Sequence, residues 1–157
     1  MTAMLEPPAH PEAVRLIPGT LPISHRYTAG IAGEQFFRAL ADRGVFLATR
    51  CGACALTYCP PRIFCERCFA ALEGEVEVGP AGRLVSVTVV RVGPDGAPLA
   101  HPVAVGLIRL DGADTCLVHR LSPEAAGWAP GDAVVAVLAP DGERTGSVND
   151  IRCFRGG

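Results

Sequence analysis

Two Cys-x-x-Cys pairs, Cys51-Gly52-Ala53-Cys54 and Cys65-Glu66-Arg67-Cys68, stand ten residues apart and constrain this chain more than any other feature. Each pair is the right length for one tight knuckle, and two such knuckles bring four sulfurs to the corners of a tetrahedron with metal–sulfur distances of about 2.3 Å. The expected ion is zinc. Four protein ligands leave no position open for water or substrate, so the site is expected to be structural, and its metal-binding free energy is largely folding free energy. Four thiolates around a divalent cation carry a net charge of minus two, and Arg50, Arg62 and Arg67 are close enough in sequence to offset it. Pro60 and Pro61 stiffen the link between the pairs and lower the entropy of the metal-free chain.

Other uses of this cysteine pattern fit less well. Disulfides are not expected in a cytoplasmic chain, and a redox Cys-x-x-Cys opens a helix beside a strand, a context missing here. Iron remains chemically compatible with a tetrahedral thiolate set. Cys59, Cys116 and Cys153 lie in or beside apolar stretches and read as small buried hydrophobes. Cys59 precedes Pro60-Pro61 instead of belonging to a knuckle, so packing is favoured over a role as a fifth ligand.

The rest of the chain reads as mainly β. Residues 1–27 contain Pro7, Pro8, Pro11, Pro18 and Pro22 and are expected to form an extended arm. Residues 28–44 carry Ile31, Phe36, Phe37 and Leu40 at spacings near three and four, with Gly44 as terminator, which predicts a short amphipathic helix. Residues 45–78 hold the metal module. It runs from a strand at residues 45–50 to an alternating stretch in which Glu73, Glu75 and Glu77 line a wet face.

Over residues 79–157, β segments are expected at Arg83 to Val92, Val103 to Leu110, Thr115 to Leu121, Ala133 to Leu138 and Val148 to Phe154, divided by Gly, Pro and Asp turns. Five short strands of this size fit a small closed barrel of the OB-fold type.

Composition excludes several function classes. The 157 residues carry a formal charge of -2, with 14 basic residues, all of them arginine. A phosphate-backbone binder is usually strongly basic and rich in stacking aromatics, whereas aromatics here make up 6%. A nucleic-acid-binding ribbon and barrel is therefore the weaker alternative. No apolar run is long enough to cross a membrane, and residues 1–8 lack the order of a signal peptide, so a cytoplasmic protein is expected.

Nothing resembling a catalytic constellation stands out. Cys116 and His119 are three apart, which on a strand turns them to opposite faces. There is no Gly-x-Ser-x-Gly elbow or phosphate loop. His101, before Pro102, is the histidine best placed for a functional role. The isolated chain is expected not to be a catalyst.

Several motifs carry a family resemblance: Glu34-Gln35-Phe36-Phe37, Arg50-Cys51-Gly52-Ala53-Cys54, Pro60-Pro61-Arg62, Cys65-Glu66-Arg67-Cys68, Gly79-Pro80-Ala81-Gly82, the run Pro102 to Asp111, and Pro130-Gly131-Asp132-Ala133-Val134. Together they resemble the acyl-CoA-associated proteins that join a rubredoxin-like zinc ribbon to a C-terminal OB-fold. The resemblance implies a non-catalytic subunit that docks on a thiolase-fold enzyme. In such a hetero-oligomer the partner carries the catalytic cysteine, and a carbon–carbon bond is made or broken beside a CoA thioester. Contact with partner or CoA is then expected at the Gly93 to His101 loop, the Trp128 loop, Arg91 and His101. Ala55 and Phe69 depart from the pattern, since knuckles of this kind often have glycine there.

Overall fold

The computed structural model describes residues 27–123 and 127–157; the arm expected over residues 1–27, with His10 and His25, lies outside them except for Tyr27. A helix, α1 (Gly30–Arg43), opens the described chain. Gly44 ends it with a φ of 66°, a left-handed conformation in which its N–H reaches back to the Leu40 carbonyl at 3.1 Å. The buried stripe is Ala32, Phe36, Ala39 and Leu40. Ile31, expected on that stripe, is instead 74% exposed, because it lies one residue, or about 100°, round the helix from Ala32. Arg43 in the last turn pairs with Glu77 at 2.5 Å and ties the helix end to the following sheet.

That sheet has three antiparallel strands in the order β2-β1-β3, where β1 is Phe46–Arg50, β2 Thr57–Tyr58 and β3 Gly74–Val78. Central β1 has Phe46, Leu47, Ala48 and Thr49 all buried, since α1 covers one side and the barrel core reaches the other. On β3, Glu75 and Glu77 face water while Val78 is buried, as alternation demands. Glu73 falls just outside the strand.

The second sheet has five strands in the order β6-β5-β4-β7-β8. They are β4 (Ala81–Val92), β5 (Pro98–Leu110), β6 (Leu117–Arg120), β7 (Ala133–Leu138) and β8 (Ile151–Gly156). A parallel bridge between Leu121 and Phe154, with the Ser122 N–H on the Phe154 carbonyl at 2.7 Å, joins the two edges and closes the barrel. This is the five-stranded closure expected of an OB-fold. At Gly82, β4 and β5 approach closely: a Cβ there would run into the Arg109 carbonyl.

The strand limits depart from the sequence reading in ways with physical causes. β5 begins at Pro98, not Val103, so the expected Gly93 to His101 loop shrinks to a turn closed by Gly93 N–H on the Ala97 carbonyl at 2.8 Å. Pro102 is tolerated inside the strand because β6 covers only Val105–Ile108 on that side, leaving the earlier half of β5 without a paired outer neighbour among the described residues. Thr115 stays outside β6, its hydroxyl already taken by the Cys59 backbone. Val148–Asp150 forms one 3-10 turn before β8, capped by the Ser147 hydroxyl.

One continuous core spans helix, first sheet and barrel. Leu40, Phe46, Leu84, Ile108, Leu110, Val134 and Phe154 are all at most 2% exposed and belong to one cluster. Phe46 touches Phe36 on one side and Phe154 on the other, with ring centroids 6.3 and 6.4 Å apart. Each such side chain contributes about 1.5–3 kcal/mol by leaving water. A smaller core of Cys51, Tyr58, Cys65 and Leu72 lies under the cysteine knuckles.

Candidate metal centre

β1 delivers the first knuckle and the chain after Phe64 the second, and the two have the same backbone design. In the first, the Ala55 N–H bonds the Cys51 carbonyl at 2.8 Å and Cys51 N–H takes the Leu56 carbonyl at 2.8 Å. In the second, Phe69 N–H bonds the Cys65 carbonyl at 2.9 Å and Cys65 N–H takes the Ala70 carbonyl at 2.9 Å. Both turns close through a left-handed residue, Ala55 with φ 57° and Phe69 with φ 59°. These are the two positions where glycine was missing, so side chains with a Cβ carry the strain.

The ligand atoms of Cys51, Cys54, Cys65 and Cys68 all lie within 4.8 Å of one another, and the Cys51 and Cys68 sulfurs are 3.6 Å apart. A tetrahedron with metal–sulfur bonds near 2.3 Å has sulfur–sulfur edges of about 3.8 Å. The donor set therefore fits a single tetrahedral ion of the zinc type. Cys59 is excluded from it: its buried sulfur points to the Leu47 carbonyl at 3.6 Å, and burial pushes its thiol up to about 12. Cys116 and Cys153 are only half-buried, less enclosed than expected.

The four sulfurs differ in surroundings. Cys51 and Cys65 are buried, Cys54 is half-buried and Cys68 is exposed. Crowded thiols resist ionising together. Hydrogen bonding to Cys68, with burial, pushes Cys54 up to about 12. Cys65 moves the other way, down to about 6, chiefly because the Tyr58 hydroxyl lies 3.1 Å from its sulfur. Tyr58 is pushed up to about 12 by the same contact and by burial.

Of the arginines expected to offset the charge, Arg62 reaches the site through Tyr58: its guanidinium stands 5.1 Å over the Tyr58 ring while pairing with Glu66. Arg50 is instead engaged with the Thr57 hydroxyl at 3.0 Å. Tyr58 itself was not apparent as a site residue in the sequence. The available signal was a tyrosine between two cysteine pairs in a chain with only two tyrosines.

Comparison with known proteins agrees with this geometry. The sequence profile of the ChsH2 rubredoxin-like zinc ribbon domain matches residues 38–73, and that of the ChsH2 C-terminal OB-fold domain matches residues 75–139. The chain belongs to the ChsH2 family. Among solved structures, this ChsH2-family chain is similar to a protein of unknown function of the DUF35 family from Sulfolobus solfataricus, with 25% identity, TM-score 0.63, and 82% of this chain and 87% of that one covered. It is also similar to a chain of the Ltp2-ChsH2(DUF35) aldolase, with 26% identity, TM-score 0.56, and 78% of this chain and 91% of that one covered. No curated protein matches it.

Away from the cysteines, the ChsH2-type barrel has a groove of about 360 Å³ lined by Val89, His101, Pro102, Arg120, Pro123 and Trp128, among others. His101 is exposed on β5, at the side of this groove, and the groove does not include Arg91, which is exposed near the end of β4. The Trp128 indole N–H is tied to the Ser122 carbonyl at 3.2 Å, so the ring is held as a wall. Cys116 and His119 line one hollow with Phe36, Val148 and Ile151, despite the strand argument that separates them. The reason is that Cys116 precedes β6 and does not follow its pleat. His119 rests edge-on to Phe154 at 5.9 Å, and burial pushes its imidazole below the usual range.

Proposed function

We propose that this chain is a zinc-stapled, non-catalytic accessory subunit of a thiolase-like enzyme that makes or cleaves a carbon–carbon bond beside a CoA thioester. The observation that carries the reading is its likeness, over most of both chains, to the ChsH2(DUF35) component named in an aldolase assembly. In this reading zinc is held by Cys51, Cys54, Cys65 and Cys68, and the reaction belongs to the partner's nucleophile. The complex works in the cytoplasm.

The β4–β5 hairpin is the proposed docking arm. Beyond Leu84 on one strand and before Ala104 on the other, neither outer edge has a paired strand among the described residues, and Val85, Val89, Val90, Val92 and Val103 are all large, apolar and exposed. A long unpaired apolar edge of this kind invites a partner. Arg91 and His101 lie on the same arm and are proposed contacts with the partner or with the CoA thioester. The arm's valines weigh against nucleic acid, which favours a basic groove with exposed aromatics.

The test is co-expression with a candidate thiolase-fold partner, followed by co-purification and assay of carbon–carbon cleavage or condensation on acyl-CoA substrates. A stable complex with activity above that of the partner alone is expected. Failure of the two chains to associate would defeat the proposal, and salt-sensitive binding to single-stranded RNA would replace it with the nucleic-acid reading.

A further inference from the structure

We infer that Tyr58 is the positioning residue that retains the metal, acting through a hydrogen bond from its buried hydroxyl to the Cys65 sulfur. A metal-bound cysteine is a thiolate with no proton to give, so in the loaded site the 3.1 Å contact has one direction, phenol to sulfur. Tyr58 is 1% exposed and Cys65 fully buried, so water cannot replace the phenol there. Partners in this outer shell orient metal ligands and take up part of their charge.

The phenol is also held from the face of its ring. Arg62 caps its ring at 5.1 Å, and a cation on that face draws electron density from the ring and makes the hydroxyl a stronger donor. Arg62 is itself fixed: its N–H donates to the Thr49 hydroxyl and its carbonyl accepts from it, each at 3.0 Å. Leu72 belongs to the same small core and, being apolar, gives neither the phenol nor the sulfur a hydrogen bond. Another corner of the tetrahedron, Cys68, is exposed. The site thus has a guarded sulfur and an open one, and metal exchange begins at Cys68 while Tyr58 keeps Cys65 bound.

The test uses the full chain loaded with zinc or with cobalt(II), after the metal content of the wild type has been measured. Tyr58→Phe, which keeps the ring, is expected to speed zinc transfer to a competing chelator by about 10- to 100-fold. In the cobalt form it should move the sulfur-to-metal charge-transfer band to lower energy, because the thiolate loses a donor. Arg62→Ala should shift both readouts in the same direction and less. Leu72→Ala is the packing control, expected to lower thermal stability without moving the band. In wild-type protein carrying spin-half cadmium, the Tyr58 hydroxyl proton should couple to the metal through sulfur, a readout that needs no variant. An unmoved band and unchanged release in Tyr58→Phe, the same band shift in Leu72→Ala, or a missing coupling each overturns the inference. A wild-type chain that binds no metal overturns it together with the zinc reading.

Discussion

Asp114 holds Thr57 at both ends: its carboxylate accepts the Thr57 N–H at 2.8 Å, and its own N–H donates to the Thr57 carbonyl at 2.9 Å. The neighbouring Thr115 hydroxyl repeats the pattern on Cys59, accepting from the N–H and donating to the carbonyl, both at 2.8 Å. The connection before β6 therefore clamps the cysteine ribbon to the barrel across 57 positions of sequence. Because Thr57 is 1% exposed, its backbone cannot turn to water instead. Asp114→Ala should cost about 1–3 kcal/mol, since it leaves the buried Thr57 N–H without an acceptor. Urea denaturation gives the loss, and hydrogen exchange at Thr57 should quicken more than exchange at β7.

The knuckles carry removable strain. Ala55 and Phe69 both adopt left-handed backbone, and Phe69 is 79% exposed, so little packing holds it there. Ala55→Gly and Phe69→Gly should each stabilise the metal-loaded chain by about 0.5–1 kcal/mol, the relief of a left-handed Cβ less the added freedom of the unfolded glycine. Thermal unfolding at saturating zinc measures it, and a loss of stability in either variant would contradict the account.

Chelation should act on one end of the molecule. Zinc and thiolates hold residues 51–68, whereas β1 and β3 are anchored in the main core through Phe46, Leu47 and Val78. A strong chelator is expected to release one zinc per chain and abolish hydrogen-exchange protection at Cys51, Ala55, Cys65 and Phe69, while β4, β5 and β8 stay protected. Simultaneous collapse of both regions would show that the ribbon and barrel fold as one unit.

Asp150 makes a pH-dependent contribution. Burial pushes its carboxyl up, but the N–H groups of Thr145, Ser147 and Gly146 converge on it and pull it below the usual carboxylate range. A carboxyl lowered in the folded state stabilises the fold above its unfolded value of about 3.9, and loses that contribution as pH falls through the folded value. Asp150→Asn should destabilise by about 1–3 kcal/mol at neutral pH, having one acceptor oxygen for three N–H groups. Denaturation curves of variant and wild type should converge in acid.

The hairpin prediction separates docking from folding. Val90 and Val103 are paired across the β4–β5 arm and each is 38% exposed. Val90→Asp should leave the melting temperature nearly unchanged while reducing co-purification with the proposed thiolase-fold partner at least tenfold. An intact complex would move the docking surface elsewhere.

Much of this molecule was legible from local chemistry. Two Cys-x-x-Cys pairs ten residues apart, with no helix opening at either, point to a closed tetrahedral site. Gly44 marks the helix end, and β-branched runs between Gly, Pro and Asp turns mark the barrel strands. What period and composition could not reveal was which strand edges are left bare. Pro98 and Pro102 look like loop residues until β6 is seen to stop short of them.

The sequence by itself thus pointed to the four cysteines, the helix and most of the strand segments, since each depends on residues close together in the chain. Only the tertiary structure decided how the four sulfurs differ. Cys51, Cys54, Cys65 and Cys68 are alike as a motif, yet folding buries Cys65 under the Tyr58 hydroxyl and leaves Cys68 in water. Burial and hydrogen-bond direction depend on what other segments bring alongside, and no spacing rule encodes them.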